Sequence, residues 1–163
     1  MRTPNRIFSF AFIFFFALLY SCTGSSQSSL PDTWQPGMKL TMSYGGGMRY
    51  YSYHIEIADT GSYHEVNEEG KITRTPLKIT AQDLSDLLAF LKSHHLDHIK
   101  TEATGLIYDK GTESILLSWG NHTAGASDGS TTAIAEKSMG DFNAISTRVF
   151  QLVEKSKEKV KDK

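Results

Sequence analysis

Residues 38–57, MKLTMSYGGGMRYYSYHIEI, contain two alternating runs on either side of three consecutive glycines. The larger apolar and aromatic side chains of both runs recur at every second position. They are Met38, Leu40, Met42 and Tyr44 before the glycines, and Tyr51, Tyr53, Ile55 and Ile57 after them. A period of two is the spacing of side chains on one face of a strand, so we expect two half-buried strands.

The three glycines raise the question of a phosphate-binding loop. Such loops lead from a strand into a helix, whose amide groups help to bind the anion. Here the glycines lead into a second strand pattern, and neither a Lys-Ser/Thr pair nor G-x-G-x-x-G follows. We therefore expect a turn or bulge that uses positive φ. This loop and its neighbours form a candidate partner-binding surface. Its residues are Tyr44, Gly45, Gly46, Gly47, Arg49 and Tyr50.

Further strands and a helix follow along the chain. Turn signals at residues 59–61 and 67–71 bound a third strand, and residues 72–79 predict an edge strand limited by Pro76. The pattern then changes to a helical stripe of leucines at i, i+3, i+4 and i+7. These are Leu84, Leu87, Leu88 and Leu91. We expect Thr80 to cap this helix, with Asp83 in its first turn.

The second half repeats the order of strands followed by a helix. After an irregular segment, residues 113–120 predict a strand with Ile115, Leu117 and Trp119 on one side, and residues 121–127 a weaker returning strand. A final helix is expected from Asp141. Its stripe comprises Phe142, Ile145, Val149, Leu152 and Val153. The fold predicted is α+β, an antiparallel sheet with helices packed on one face, and not the alternating order of a dinucleotide-binding domain.

The N-terminus has the pattern of a secretory signal. Arg2 and Arg6 precede an apolar run of 14 residues, Ile7 to Tyr20, shorter than the roughly 20 needed to span a bilayer as a helix. The following LYSC, ending at Cys22, resembles the bacterial lipobox, although Tyr20 is bulkier than is usual there. The resemblance implies cleavage before Cys22 and lipidation of that residue, which anchors the protein to a membrane.

The same resemblance implies a location. Thr23 is not the Asp that retains lipoproteins in the inner membrane, and residues 23–29 lack the acidic export cluster of surface lipoproteins. An outer-membrane lipoprotein facing the periplasm is therefore expected. We divide the chain into a signal peptide (1–21), a flexible tether (22–36), one domain (37–155) and a charged tail (156–163). The lysine-rich end, residues 155–163, is expected to be a solvated, frayed helix end.

Charge and cysteine content exclude several classes of function. Two of the 17 basic residues precede Cys22, so the chain from Cys22 onward has 15 basic and 18 acidic residues. This balance gives no basic face for nucleic acid. Cys22 is the only cysteine, so the domain has neither a disulfide nor a thiol nucleophile. No cofactor is expected.

Two patterns could carry chemistry. Residues 125–129, GASDG, match the G-x-S-x-G nucleophile motif at Ser127, but that fold needs a later histidine and the last one is His122. His94 and His98 would lie four residues apart on one helical face if the leucine-rich helix continued, as in a zinc site. A third ligand would have to come from elsewhere, and histidines also suit a helix C-terminus.

The domain is similar to small domains of bacterial secreted lipoproteins, and to the emfourin family of metallopeptidase inhibitors. The similarity to the lipoprotein domains rests on residues 45–57, the DTGSY turn, the leucine-rich helix and SILLSW at residues 114–119. The similarity to the emfourin family rests on the glycine turn at residues 45–47. It assigns no inhibitory residue. We expect a lipid-anchored, non-enzymatic domain that binds an envelope protein. The alternatives are a protease inhibitor acting through the glycine loop and a metal-dependent hydrolase that uses His94 and His98.

Overall fold

The computed structural model describes residues 28–48 and 50–161, with side chains described up to residue 157. The predicted signal peptide, the predicted lipidation site Cys22, the first part of the predicted tether and Arg49 lie outside the described residues.

Within the described residues, eight strands form two antiparallel sheets. The strands are β1 (Lys39–Gly46), β2 (Tyr51–Ala58), β3 (Ser62–Glu68), β4 (Lys71–Leu77), β5 (Thr101–Ala103), β6 (Gly111–Trp119), β7 (His122–Asp128) and β8 (Thr132–Ile134). The main sheet has the order β4-β3-β2-β1-β6-β7, and β5 pairs with β8 in a small second sheet. β1 is thus flanked by β2 and β6, both antiparallel to it.

The described part of the chain contains two α-helices, α1 (Ala81–Ser93) and α2 (Glu136–Lys161), and a 3-10 helix at Leu96–His98. A capping box begins α1: the amide of Asp83 donates to the Thr80 hydroxyl at 3.1 Å, and the amide of Thr80 donates to the Asp83 carboxylate at 3.0 Å. Each bond satisfies an amide that the helix leaves unpaired. The predicted cap is confirmed.

Both helices pack on one face of the main sheet, as predicted. The core joins the buried side chains of the central strands to the apolar stripes of the helices. Its most completely buried members are Met38, Leu40, Met42, Ile55, Ile57, Leu87, Leu88, Leu91, Leu96, Ile115, Leu117 and Ile145. Since alternate residues of each strand point the other way, the second face of the sheet carries the polar positions, such as Ser43 and Ser114.

The structure differs from the sequence expectations at two elements. Helix α2 begins at Glu136, five residues before the predicted start at Asp141. Ser138 is held there by tertiary contacts, because its hydroxyl accepts from the amide of Lys100 at 3.2 Å. Strands β5 and β8 were not predicted. Each has three residues, too few for an alternating pattern to be visible.

The described part of the predicted tether, residues 28–36, lies against the domain. Leu30 is 4% exposed and belongs to the core. Asp97 accepts hydrogen bonds from the amide and hydroxyl of Ser29, and Asp32 forms an ion pair of 2.6 Å with Lys92. Towards the other end of the chain, α2 continues into the predicted tail as far as Lys161, and Ser156 is fully buried. The packed structure therefore extends beyond the boundaries drawn at residues 37 and 155.

Candidate functional site

Three connections meet at one end of the main sheet. They are the β1–β2 loop (residues 47–50), the β3–β4 turn (residues 69–70) and the segment that leads from β5 into β6 (residues 104–110). The strand register brings them together, since Gly46 pairs with Gly111 and Tyr51 pairs with Glu68. We call this end of the main sheet the loop end.

Backbone contacts hold the three connections in place. The amide of Glu69 donates to the carbonyl of Tyr50 at 2.8 Å, which joins the β3–β4 turn to the β1–β2 loop. Gly47 has φ +77°, and a Cβ there would lie 3.0 Å from the carbonyl oxygen of Asp109. This position therefore needs glycine for its φ and for the close approach of the β5–β6 segment. The prediction that the glycine loop joins two strands through positive φ is confirmed.

Large apolar side chains are exposed together at the loop end. Eight such side chains are exposed within the described residues, and six of them belong to the loop end. The six are Met48, Tyr50, Tyr51, Leu106, Ile107 and Tyr108. The other two, Ile72 and Leu116, point to the polar face of the sheet. Single exposed apolar residues are ordinary, whereas a group of this kind is typical of a contact surface.

A stack of aromatic rings supports this surface from the core side. Tyr44 and Tyr53 are stacked with ring centroids 5.8 Å apart, and Tyr51 lies 6.4 Å from each of them. Tyr53 in turn meets the edge of Phe150 on α2 at 5.3 Å. The partly exposed Tyr51 is therefore continuous with the packed interior, which restricts its motion.

Glu113 links the aromatic stack to α2. Its carboxylate accepts from the Tyr53 hydroxyl at 3.2 Å and from the Ser146 hydroxyl at 2.7 Å. Burial, together with the negative charge of Glu113, raises the pKa of Tyr53 well above its usual range. The phenol therefore stays protonated at neutral pH and acts as a hydrogen-bond donor.

The predicted partner-binding residues have different surroundings. Tyr50 is 87% exposed and Gly47 lies beside it, whereas Tyr44 is half-buried within the aromatic stack. Gly45 and Gly46 end β1, and Gly46 has φ +83°. Arg49 lies outside the described residues.

Sequence reasoning missed the contribution of the β5–β6 segment. Leu106, Ile107 and Tyr108 were part of a stretch interpreted only as irregular. The sequence feature that could have indicated them is a run of three apolar residues inside a segment without strand or helix periodicity. Apolar residues in such a segment are not needed to pack a strand or a helix. The segment is fixed by the amide of Ile107, which donates to the carbonyl of Ser130 at 2.8 Å, and by an ion pair of 2.8 Å between Lys110 and Asp128.

The histidines do not share a helical face. Helix α1 ends at Ser93, and His95 turns the chain with φ +49° before the 3-10 helix begins. His94 lies 3.0 Å from Asp141 and packs on Phe90, while His98 lies 3.6 Å from Asp97. Within residues 28–48 and 50–161, no group of three or more His, Cys, Asp or Glu side chains is arranged to hold a metal ion.

Ser127 also lacks the surroundings of a nucleophile. It lies within β7, paired with Ser114 of β6, and the strand continues to Asp128. The G-x-S-x-G mechanism requires a sharp turn from a strand into a helix at the serine. The motif is therefore a chance match within a strand of small residues.

A cleft of about 470 Å³ lies at the loop end, between the β1–β2 loop and the β3–β4 turn. Its lining residues are Met48, Tyr50, Tyr51, Glu68 and Glu69. Two aromatic rings and a thioether thus face two carboxylates. Of the groups found at the loop end, this combination is the one best suited to bind another molecule.

No family model and no curated protein matches this chain. Neither described helix has an apolar stretch long enough to cross a bilayer.

Proposed function

We propose that this protein is a lipid-anchored component of the bacterial envelope whose non-enzymatic domain binds a protein partner through the loop end. The observation that carries the proposal is the gathering of six exposed apolar side chains in connections that meet at one end of the sheet. Aromatic residues and methionine are enriched at protein interfaces, and three tyrosines and one methionine are among the six.

The rigidity of the surface supports this function. Residues that dominate binding energy sit in well-packed surroundings, because an ordered side chain loses little further entropy on binding. Tyr51 rests on the aromatic stack, and the β1–β2 loop is bonded to the β3–β4 turn. Tyr50 and Tyr108, with 87% and 79% exposure, present area that a partner would bury.

The path of the chain supports an anchored arrangement. Residues 28–38 lead into β1 at Lys39, and the eight residues of β1 end at the loop end. At roughly 3.3 Å per residue, β1 carries the chain about 25 Å from its entry to that end. An anchor at Cys22 would therefore lead into the sheet at the end opposite the proposed contact surface. An outer-membrane lipoprotein facing the periplasm is the location we propose.

Metabolic labelling tests the anchor. The full-length protein is expressed with labelled palmitate, and the membrane fraction is compared with that of a Cys22→Ala variant. We expect label and membrane association in the wild type and the loss of both in the variant. Label that persists in the variant would contradict lipidation at Cys22.

Site-specific photo-crosslinking tests the contact surface. A benzophenone amino acid is placed at position 108 of the full-length protein, or at position 72 as the control. Tyr108 and Ile72 are both well exposed, but Ile72 lies on the polar face of the sheet. We expect one discrete protein adduct from position 108 and none from position 72, with loss of the adduct on Tyr50→Ala. Adducts at both positions, or at neither, would contradict the proposal.

A further inference from the structure

The cleft at the loop end combines aromatic and acidic groups in a way that the proposed function does not use. Tyr50 and Tyr51 come from the β1–β2 side, and Glu68 and Glu69 from the β3–β4 side. An aromatic face attracts a cation through its quadrupole, and a carboxylate attracts one through its charge. Both walls of the cleft therefore favour a positively charged group.

Neither glutamate side chain has a hydrogen bond or ion pair within the described residues. Three other carboxylates with neighbouring lysines are paired: Glu56 with Lys39, Asp128 with Lys110 and Asp32 with Lys92. Lys71 lies opposite Glu68 in the strand register, yet the two form no ion pair in the described part of the chain. Within the described residues, which leave out Arg49, the cleft thus presents two carboxylates without an ion-pair partner.

The two walls are held at a fixed separation. Tyr51 and Glu68 are register partners across β2 and β3, and the amide of Glu69 donates to the carbonyl of Tyr50 at 2.8 Å. A hydrogen bond of 3.0 Å from the amide of Gly70 to the Asn67 side chain fixes the turn itself. The site is therefore formed before a ligand arrives, which lowers the entropy lost on binding.

We propose that this cleft receives an arginine side chain of the partner protein, an inference that rests on the function proposed above. The planar guanidinium group can stack on a tyrosine ring while its N–H groups donate to a carboxylate. The thioether of Met48 contacts the methylene stem. Lysine offers a compact charge without a flat face, so it fits this combination of ring and carboxylate less well.

A peptide titration tests the chemistry of the site. The full-length, isotope-labelled protein in detergent micelles is titrated with acetyl-Gly-Gly-Arg-Gly-Gly-amide and with the same peptide carrying neutral citrulline. We expect the arginine peptide to shift the amide resonances of Tyr51, Glu68 and Glu69, and salt to weaken this binding. Equal shifts from the citrulline peptide, or no shifts from either, would overturn the inference.

Two variants change the charge of the cleft in opposite directions. A Glu68→Gln/Glu69→Asn double variant should bind the arginine peptide about tenfold more weakly, because two carboxylates are lost. Lys71→Gln should bind about twofold more tightly, because a nearby positive charge is removed. Unchanged affinity in the double variant would overturn the inference. A folding defect could not produce the opposite change in Lys71→Gln.

The crosslink at position 108 separates this inference from the proposed function. If the adduct forms equally well in the Glu68→Gln/Glu69→Asn protein, the contact surface stands and the arginine site is wrong. If the arginine peptide binds but no adduct forms at position 108, the proposed protein-binding function is wrong. Tighter binding of tetramethylammonium than of the arginine peptide would overturn the assignment to an arginine side chain.

Discussion

Short connections join the strands of the main sheet at both of its ends, and the two ends differ in the side chains that they expose. At the end opposite the loop end, residues 59–61 join β2 to β3 and residues 120–121 join β6 to β7. These connections are exposed and consist of small and polar residues, Asp59, Thr60 and Gly61 in the first and Gly120 and Asn121 in the second. The loop end exposes methionine, leucine, isoleucine and tyrosine instead.

Turn geometry does not explain this difference. Both ends use glycines at positive φ, including Gly61 at the opposite end and Gly47 at the loop end. A turn gains nothing from an exposed apolar side chain, and a group of them promotes unwanted association. The apolar residues of the loop end therefore serve something other than the fold. The predictions below test whether that end also has its own structural support.

The largest effect is expected from a change beneath the aromatic stack. A Cβ at Gly111 would overlap the ring of Tyr44, so Gly111→Ala must displace a ring that is stacked on Tyr53. We expect a loss of about 1–2 kcal/mol in the free energy of unfolding. Urea denaturation of the variant and the wild type measures this loss.

The matched control for Gly111→Ala is Gly105→Ala. Gly105 lies in the β5–β6 segment that precedes Gly111, its φ is not positive, and a Cβ there would have no neighbour within 4 Å. This variant should change stability by less than about 0.5 kcal/mol. An equal loss in both variants would show that the aromatic stack does not support the loop end.

A smaller loss is expected from Tyr53→Phe, which removes the hydroxyl that donates to Glu113. Glu113 keeps its bond from Ser146, so the loss should be about 1 kcal/mol, the value of one hydrogen bond. Tyr63→Phe on the polar face is the control, because no hydrogen bond of its hydroxyl occurs among the described residues. If the two variants have the same midpoint of urea denaturation, the link to α2 has no energetic role.

Acidic pH should lower the free energy of unfolding by a smaller amount, through His64 beside the aromatic stack. His64 lies 6.4 Å from Tyr53, and its Nε2 is buried with no hydrogen-bond partner within the described chain. Burial lowers the pKa of His64, the positive charge of Lys157 lowers it further, and Glu154 opposes them. The unfolded chain therefore binds the proton more readily, so the contribution of neutral His64 is present above about pH 6.5 and is lost as the pH falls below it.

His64→Leu tests this pH dependence. Stability measured by urea denaturation between about pH 7.5 and pH 5 should fall less steeply in the variant than in the wild type. The effect on the free energy of unfolding should be smaller than that of Tyr53→Phe. The His64 ring is only half-buried, so water still solvates part of its protonated form. Parallel slopes for the two proteins would exclude a role for His64 in acid sensitivity.

The sequence predicts the core well and the site only in part, for a physical reason. Burial forces alternation in β1 and β2 and a regular stripe in α1, so Leu40, Ile57 and Leu88 could be assigned to the core from spacing alone. The glycine loop could be placed because it interrupts two such patterns. Exposed residues have no such periodicity, and spacing therefore gave no reason to bring the end of the β5–β6 segment at Asp109 next to Gly47.

The strand register determines which connections are neighbours, and residue spacing in the sequence does not show this. Gly46 and Gly111 are far apart in the chain, and only the pairing of β1 with β6 makes their connections neighbours. The early start of α2 has a similar origin, because Ser138 is held by a bond to the distant Lys100. Contacts between elements thus determined the parts of the site and the fold that local pattern left open.

The smallest effect on the free energy of unfolding, an increase rather than a loss, is expected at the β3–β4 turn. Glu69 and Gly70 have φ of +54° and +85°, the pattern of a two-residue hairpin turn for which Asn-Gly is preferred. Glu69→Asn should therefore raise the free energy of unfolding by about 0.5 kcal/mol, because asparagine adopts this conformation more readily than glutamate. Glu68→Gln, whose backbone lies in a regular strand, is the control and should change stability little.

A more stable Glu69→Asn protein that binds the arginine peptide less well would show that glutamate is kept at this position for its charge, against the preference of the turn. Unchanged or lower stability would mean that the turn itself favours glutamate, and the contrast between the two ends of the sheet would then rest on the exposed apolar residues alone.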